Sequence, residues 1–571
     1  MDEDLRERIE REAETAALFN ALKHDSDAQV GAIMGPMMGD NPDFRPHGDA
    51  IPGVIAPVLD RVNERSTAEK RERLETLAPA LLDELEADDE TDEHPLSDLP
   101  NADEYDEVRM RLAPNPNGPW HLGSARMPAV IGTYKEMYDG WMLCRFDDTD
   151  PETKRPDLDA YDEILSSIEY LGFDPDAVVK ASDRVETYYE YARELIDEGG
   201  AYTCSCDGAS FSELKNAGEA CPHRDKSVET TRSEFEAMIE GEYASGEMVL
   251  RVRTDIEHKN PALRDWVAFR MVDTPHPRSA AAEYRCWPML DFQSGIDDHE
   301  FGITHIVRGI DLQDSAKRQG FVYEYFGWEY PEVVHWGHVQ IDAYDVALST
   351  STIKELVADG TLDGWDDPRA PTVASLKRRG IAGEAIVNAM IELGTSTSNV
   401  DLAMSSIYAE NRELVDDDAD RLFLVRDGVE VPIDGAPEAA EVPVHPDHED
   451  RGDRRIPVGE AVRVESDDVP DSGETVWLKG LGPVRYTGET FEFTDDDISI
   501  VREGGVDVIH WVPAAESVPL RLRTMDGDDL GHAEPKTETY ERDAIVQFER
   551  IGFARIDRHD DDESVAYFAH P

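Results

Sequence analysis

Residues 114–124 read Pro114-Asn115-Pro116-Asn117-Gly118-Pro119-Trp120-His121-Leu122-Gly123-Ser124, a stretch that breaks the backbone repeatedly around one histidine. VRMRL (108–112) before it alternates apolar and polar residues as a strand does, and the residues up to about 139 suit a helix. A strand that breaks at Pro and Gly and resumes as a helix aims backbone N–H groups and the positive end of the helix dipole at an anion. Gly118 and Gly123 let a ligand approach the backbone, and His121 would stand at the helix start within reach of a phosphate. These residues describe a nucleotide site; on the residues alone, a plain Pro/Gly turn with a surface histidine is the alternative.

A second constellation lies in YTCSC (202–206) and ACPHR (220–224). Cys204, Cys206, Cys221 and His223 form a four-donor set with no vacant position, the composition of a structural tetrahedral zinc. Reduced surface cysteines, or a site that has lost its metal, are the alternatives. Cys144 and Cys286 sit in apolar runs and read as core. Three of five cysteines within one short stretch speak for metal in a reducing compartment rather than a disulfide framework.

Several elements must position these groups. WMLCRF (141–146) reads as a strand ending in DDTD, GITHIVRG (302–309) as a strand, LQDSAKRQGFVYEYFG (312–327) as a helix and EVVHWGHVQI (332–341) as a strand. Strands alternating with helices predict a doubly wound parallel sheet with its ligands at the carboxyl ends of the strands. Residues 1 to about 85 read as helical, with Leu74, Leu77, Leu81, Leu82 and Leu85 at helical spacing and a break at Pro79. Residues 31–53, rich in Gly, Pro and Met, read as a loop, and the acidic 86–107 as a linker. Beyond about 410, short β-type runs separated by Gly, Asp and Pro turns predict barrels or sandwiches. No apolar run is long enough for a membrane span and the charged N-terminus is no secretory signal, so a cytoplasmic location is expected.

The chain has 125 acidic against 56 basic residues, a formal charge of −69, and the acids are spread along its whole length. At molar salt the Debye length is about 3 Å and such self-repulsion is screened, so the composition suits an enzyme of a very salty cytoplasm. For the same reason the net charge does not exclude an RNA partner.

RLAPNPNGPWHLGSA resembles the first signature of the class I aminoacyl-tRNA synthetases in its glutamyl/glutaminyl form. CRFDDTDP (144–151) and FGITHIVRGIDLQDSAKRQ (301–319) resemble two further motifs of that subfamily, in the expected order, and the likeness extends from about 108 to the C-terminus. With the acidic composition and β-rich C-terminal part, the chain looks like the archaeal-type glutamyl-tRNA synthetases of a halophile. The resemblance implies a multidomain α/β plus all-β fold: a helical extension and linker (1–107), a Rossmann-like half (108–200), an inserted acceptor-end and zinc region (201–283), a second catalytic half (284–355), helical connecting residues (356–410) and β-barrel anticodon-binding residues (411–571).

It further implies that His121, Gly123 and Ser124 act on ATP, with 114–124 as the ATP-binding segment. Arg111 would contact the amino acid's carboxylate, Asp147 its α-amino group, and Arg308 the side-chain carboxylate of L-glutamate. The second signature loop falls at ALSTSTIK (347–354), where Ser349, Thr350 and Ser351 are candidates. Thr350 stands where a second lysine is usual, and Lys354 or the loop's hydroxyl and N–H groups are the substitutes. A solvent loop is the alternative for that segment without its context, and a surface salt bridge is the alternative for Arg308. KRRG (377–380) is a candidate phosphate contact, or a helix end with charges suited to its dipole. The implied reaction is ATP-dependent glutamylation of tRNA(Glu), with magnesium accompanying the phosphates; the resemblance allows tRNA(Gln) as a second acceptor. No membrane or DNA partner is expected. Glutamine–tRNA ligase, disfavoured by Arg308, and a non-catalytic synthetase-like RNA-binding protein are the alternative functions.

Overall fold

The computed structural model describes residues 3–23, 51–63, 65–78, 95–341, 343, 344, 346–494 and 506–571, with a few isolated positions between 28 and 81. The chain forms two compact units, Met1–Ser97 and Asp98–Pro571. In the first, helices α1 (Glu3–Lys23), α2 (Ile51–Asn63) and α3 (Thr67–Leu77) bury Ile9, Ala13 and Ala17 against Ile55, Val58, Val62 and Leu74. These positions recur every three or four residues, one face of each helix. α3 ends at Leu77, two residues before Pro79, as the residue before a proline disfavours helix. Leu82, Leu85, most of the 31–53 run and the acidic linker up to residue 94 lie outside the described residues.

The second unit opens with β1 (Arg109–Leu112), α4 (Arg126–Met137), β2 (Trp141–Phe146), α5 (Ala160–Tyr170), β3 (Ala177–Lys180) and α6 (Val185–Asp197). β1, β2 and β3 are parallel neighbours, with Arg111 beside Leu143. The inserted region follows: β4 (Ala201–Cys204), α7 (Gly208–Ala217), α8 (Val228–Ile239), β5 (Val249–Val252), β6 (Val267–Met271) and β7 (Cys286–Pro288). Its four strands pair consecutively and antiparallel over Tyr189, Phe235, Phe269 and Trp287. Then come α9 (Leu290–Glu300), β8 (His305–Gly309), α10 (Gln313–Phe326) and β9 (Glu332–Trp336), with β8 and β9 parallel.

β8 joins β1 where the Thr304 N–H donates to the Arg109 carbonyl at 2.9 Å and the Arg109 N–H to the Thr304 hydroxyl at 2.8 Å. The crevice beyond the carboxyl ends of β1 and β8 is therefore the switch point of the doubly wound halves, where such folds bind ligands.

The expected strand 332–341 is corrected: it stops at Trp336, and Val339–Gln340 (β10) pairs instead with Val400–Asp401. Gly337 causes the break. Its N–H donates to the Ser396 carbonyl, and a Cβ there would fall 1.9 Å from the Ser398 carbonyl oxygen. Helices Thr350–Ala358 (α11), Val373–Arg379 (α12), Gly383–Ile391 (α13) and Met404–Val415 (α14) lead to the C-terminal part. There, among the described residues, two seven-stranded mixed sheets each close over a core of their own, around Val464, Val484 and Trp511 and around Leu520, Phe548 and Ala566.

Candidate active site

The loop after β1 is held from both sides. The Asp147 N–H donates to the Pro114 carbonyl, and the Asn115 amide donates to the Asp147 carbonyl, both at 2.8 Å. On the far side, the Leu122 N–H donates to Pro371 at 2.8 Å and the Val373 N–H to Trp120 at 3.2 Å. Trp120 and Leu122 are buried anchors, and His121 is half-buried between them. Burial lowers the His121 imidazole below its ordinary pKa, which keeps the ring neutral at physiological pH. Ser124 Oγ lies 3.3 Å from its Nε2, and a Cβ on Gly123 would press the ring at 3.3 Å. His121 does not open the α-helix as expected: a 3-10 turn, Leu122–Ala125, intervenes before α4.

The two loop segments meet. A Cβ on Gly118 would come within 2.7 Å of the Thr350 methyl group, so only glycine permits this approach. ALSTSTIK, expected as a loop, is corrected: Ser349 caps a helix that begins at Thr350, its hydroxyl accepting from the Thr352 N–H at 3.5 Å, and Ser351 is exposed in the first turn. Lys354, one turn on, reaches back toward the first loop. Its Nζ lies 3.2 Å from Asp157 and 3.5 Å from the Asn117 carbonyl.

Between β1, β2, β8 and α9 lies a cavity of about 120 Å³ lined by Arg111, Arg145, Asp147, Ser294, Arg308 and Trp336. Arg111 is 6% exposed and makes two hydrogen bonds to Asp298, at 2.9 and 3.2 Å. Arg145 donates to Asp147 at 2.6 Å and lies 3.5 Å from Asp297, which also accepts from Arg184 and Tyr188. Arg308 is less well served. Its nearest carboxylate, Asp298, is 3.9 Å away, its Nε has no partner, and its one close acceptor is the neutral amide of Gln319 at 3.3 Å. Burial and the neighbouring Arg111 charge lower its pKa. Burial pushes the Asp147 carboxyl up to about 6, with Arg145 and Arg111 pulling it partway back. The ion-pair network around the cavity holds four guanidiniums, of which Arg184 is partly exposed and off the cavity wall, against three carboxylates, and Arg308 is the wall cation with no close carboxylate. Such a surplus calls for an anionic ligand.

Residues 107–417 match the catalytic domain of the class I tRNA synthetases (E and Q), and residues 419–502 and 508–557 match anti-codon binding domains of the same class. The chain belongs to this synthetase family. A glutamate–tRNA ligase of Natronomonas pharaonis is 79% identical over 571 residues, covering all of both chains. One from Haloarcula marismortui is 71% identical over 580 residues, also covering all of both, and one from Methanosarcina acetivorans is 44% identical over 98% of each.

The synthetase's inserted region gathers the four expected metal donors at the end of β4. Their ligand atoms lie within 4.8 Å of one another, with Cys204 and Cys221 sulfurs 3.8 Å apart and His223 Nδ1 at 3.4 Å from Cys206 and 3.7 Å from Cys204. A tetrahedral ion with bonds of about 2.0–2.3 Å separates its ligands by roughly 3.5–3.8 Å, so the donor set fits zinc. Ser205 Oγ, 3.1 Å from His223 Nε2, turns Nδ1 toward the sulfurs. Cys144 and Cys286 are fully buried, as expected of core residues.

Of the two readings of KRRG, the helix end is the one seen: Lys377, Arg378 and Arg379 fill the last turn of α12, ahead of Gly380 in the left-handed conformation. Arg379 is 1% exposed and donates to the Phe568 carbonyl at 3.1 Å, while Arg378 pairs with Asp366 and Asp557, leaving Lys377 as the exposed cation. Sequence reasoning also missed Arg145, Asp297 and Asp298. The available signal was two adjacent acids in α9, a helix that buries most of its length. Among the described residues of the synthetase, no helix is long and apolar enough to cross a membrane.

Proposed function

We propose that this synthetase activates L-glutamate with ATP and transfers the glutamyl group to the 3′ end of tRNA(Glu) in the cytoplasm. The observation that carries the reading is the surplus cation around the 120 Å³ cavity. Glutamate brings two carboxylates and one ammonium, a net charge of −1 that balances the surplus. Glutamine brings none and would leave Arg308 facing an amide, at a cost of about 1–3 kcal/mol for a poorly paired buried charge. In this reading the side-chain carboxylate meets Arg308, the α-ammonium meets Asp147, and Arg111 steers the carboxylate end.

The α-carboxylate then attacks the α-phosphate of ATP and pyrophosphate leaves, giving glutamyl-adenylate; a terminal ribose hydroxyl of the tRNA attacks its acyl carbon, the acyl–phosphate bond breaks, and AMP leaves as the hydroxyl loses its proton. Catalysis is positioning plus charge stabilisation. His121, neutral and wedged between buried anchors, donates to a phosphate oxygen, helped by Gly123 and Ser124. The α11 N-terminus, with Ser349, Thr350 and Ser351, closes on the same loop, and Lys354 supplies the cation that Thr350 does not. Magnesium bound to the phosphates would offset their charge, with His121 and Lys354 as the chain's own groups beside them. Cys204, Cys206, Cys221 and His223 would hold a structural zinc that ties β4 to the loop after α7.

Charging purified tRNA(Glu) and tRNA(Gln) separately with glutamate and with glutamine, in concentrated KCl, tests the proposal. Glutamate is expected on tRNA(Glu), and glutamate on tRNA(Gln) would extend the acceptor range. Charging with glutamine alone would refute the reading.

A further inference from the structure

Arg308 owes its free charge to a residue that touches neither loop. Gln319, in the middle of α10, is wholly buried. Its Oε1 accepts from Arg308 at 3.3 Å and from the Tyr330 hydroxyl, and its Nε2 donates to Ser294. The amide orientation is forced, because a guanidinium only donates and the carbonyl must face it. Tyr330 adds no charge, since burial pushes its hydroxyl up to about 12. The acids beside the cavity accept hydrogen bonds from other arginines, Asp298 from Arg111 and Asp147 and Asp297 from Arg145, and only Asp298 comes near Arg308, at 3.9 Å. An acid of the same shape at 319 would close an ion pair with Arg308 and bring the cavity to charge balance.

We propose that Gln319 is a specificity-determining positioning residue: as a neutral acceptor it fixes the Arg308 guanidinium without cancelling its charge, and so reserves that charge for an acidic amino acid. This rests on the glutamate-activating function above. It accounts for a fully buried amide, rather than a carboxylate, beside an arginine whose Nε is unpartnered.

The test is the isosteric variant Gln319→Glu in the full-length enzyme, with glutamate and glutamine charged onto tRNA(Glu) in concentrated KCl. The glutamate KM is expected to rise at least about tenfold and the glutamate-over-glutamine ratio of kcat/KM to fall at least about tenfold, while the ATP KM holds. Gln319→Met removes the hydrogen bonds that hold Arg308 without adding charge, so the glutamate KM is expected to rise about threefold while the glutamate-over-glutamine ratio falls clearly less than in Gln319→Glu. An unchanged ratio in Gln319→Glu, or an equal fall in Gln319→Met, would overturn the proposal in favour of a purely structural role. Wild-type enzyme that fails to charge glutamate would instead refute the function itself.

Discussion

Arg308→Ala probes the cavity most sharply. The arginine's Nε is unpartnered and its nearest carboxylate is 3.9 Å away, so in the proposed function a substrate carboxylate would supply its main ion pair. Removing one partner of a desolvated charge pair costs roughly 2–5 kcal/mol. The weak pairing in the free enzyme returns little on deletion, so about 2–4 kcal/mol is expected here, or roughly 30- to 1,000-fold in kcat/KM for glutamate. The assay is tRNA-dependent ATP–pyrophosphate exchange in concentrated KCl with glutamate, ATP and glutamine varied in turn. The glutamate KM should rise, the ATP KM should hold, and glutamine use should not fall. Because deletion removes a buried charge with few partners, thermal stability should change little. A glutamate effect below about threefold, or parallel losses for glutamate and glutamine, would refute the reasoning.

Three further outcomes are expected. Asp147 must be ionised to hold an ammonium, and burial places its pKa at about 6, so kcat/KM for glutamate should fall about tenfold per unit below that pH. The folded-state pKa lies above the unfolded value, so protonation stabilises the fold as pH falls from about 6 toward 4, and melting temperature should not track this limb; a profile flat from pH 7 to 5 contradicts the role. Purified protein should carry one zinc per chain by atomic spectroscopy, and Cys206→Ser should lose it with a drop in thermal stability; full retention would contradict the four-donor site. Gly337→Ala would set a Cβ 1.9 Å from the Ser398 carbonyl and should cost about 1–3 kcal/mol in denaturant unfolding, whereas an unchanged midpoint would deny the close approach.

The strand, broken turn and helix around 114–124 were legible because Pro and Gly act locally, and so was the cluster of four candidate metal donors, which lie close in sequence. The cavity's internal balance was not. Arg111 meets Asp298 across 187 residues and Arg145 meets Asp297 across 152, and no local pattern records such pairings. Arg378 and Arg379 could be read as a phosphate contact or as a helix end for the same reason: their partners Asp557 and Phe568 arrive from the C-terminal sheet. Thr350 read as a loop residue because its hydroxyl-rich surroundings favour turns, yet Ser349 uses that chemistry to cap a helix. Gly337 was hidden inside a β-branched and aromatic run, and only the backbone packed against it shows why the strand must stop there.

The most direct measurement is a crystal structure of the enzyme with glutamate bound. The side-chain carboxylate oxygens should lie within hydrogen-bonding distance of Arg308 and the α-ammonium against Asp147. A glutamate whose distal oxygens point away from Arg308, with that guanidinium still unpaired, would contradict the charge-surplus account.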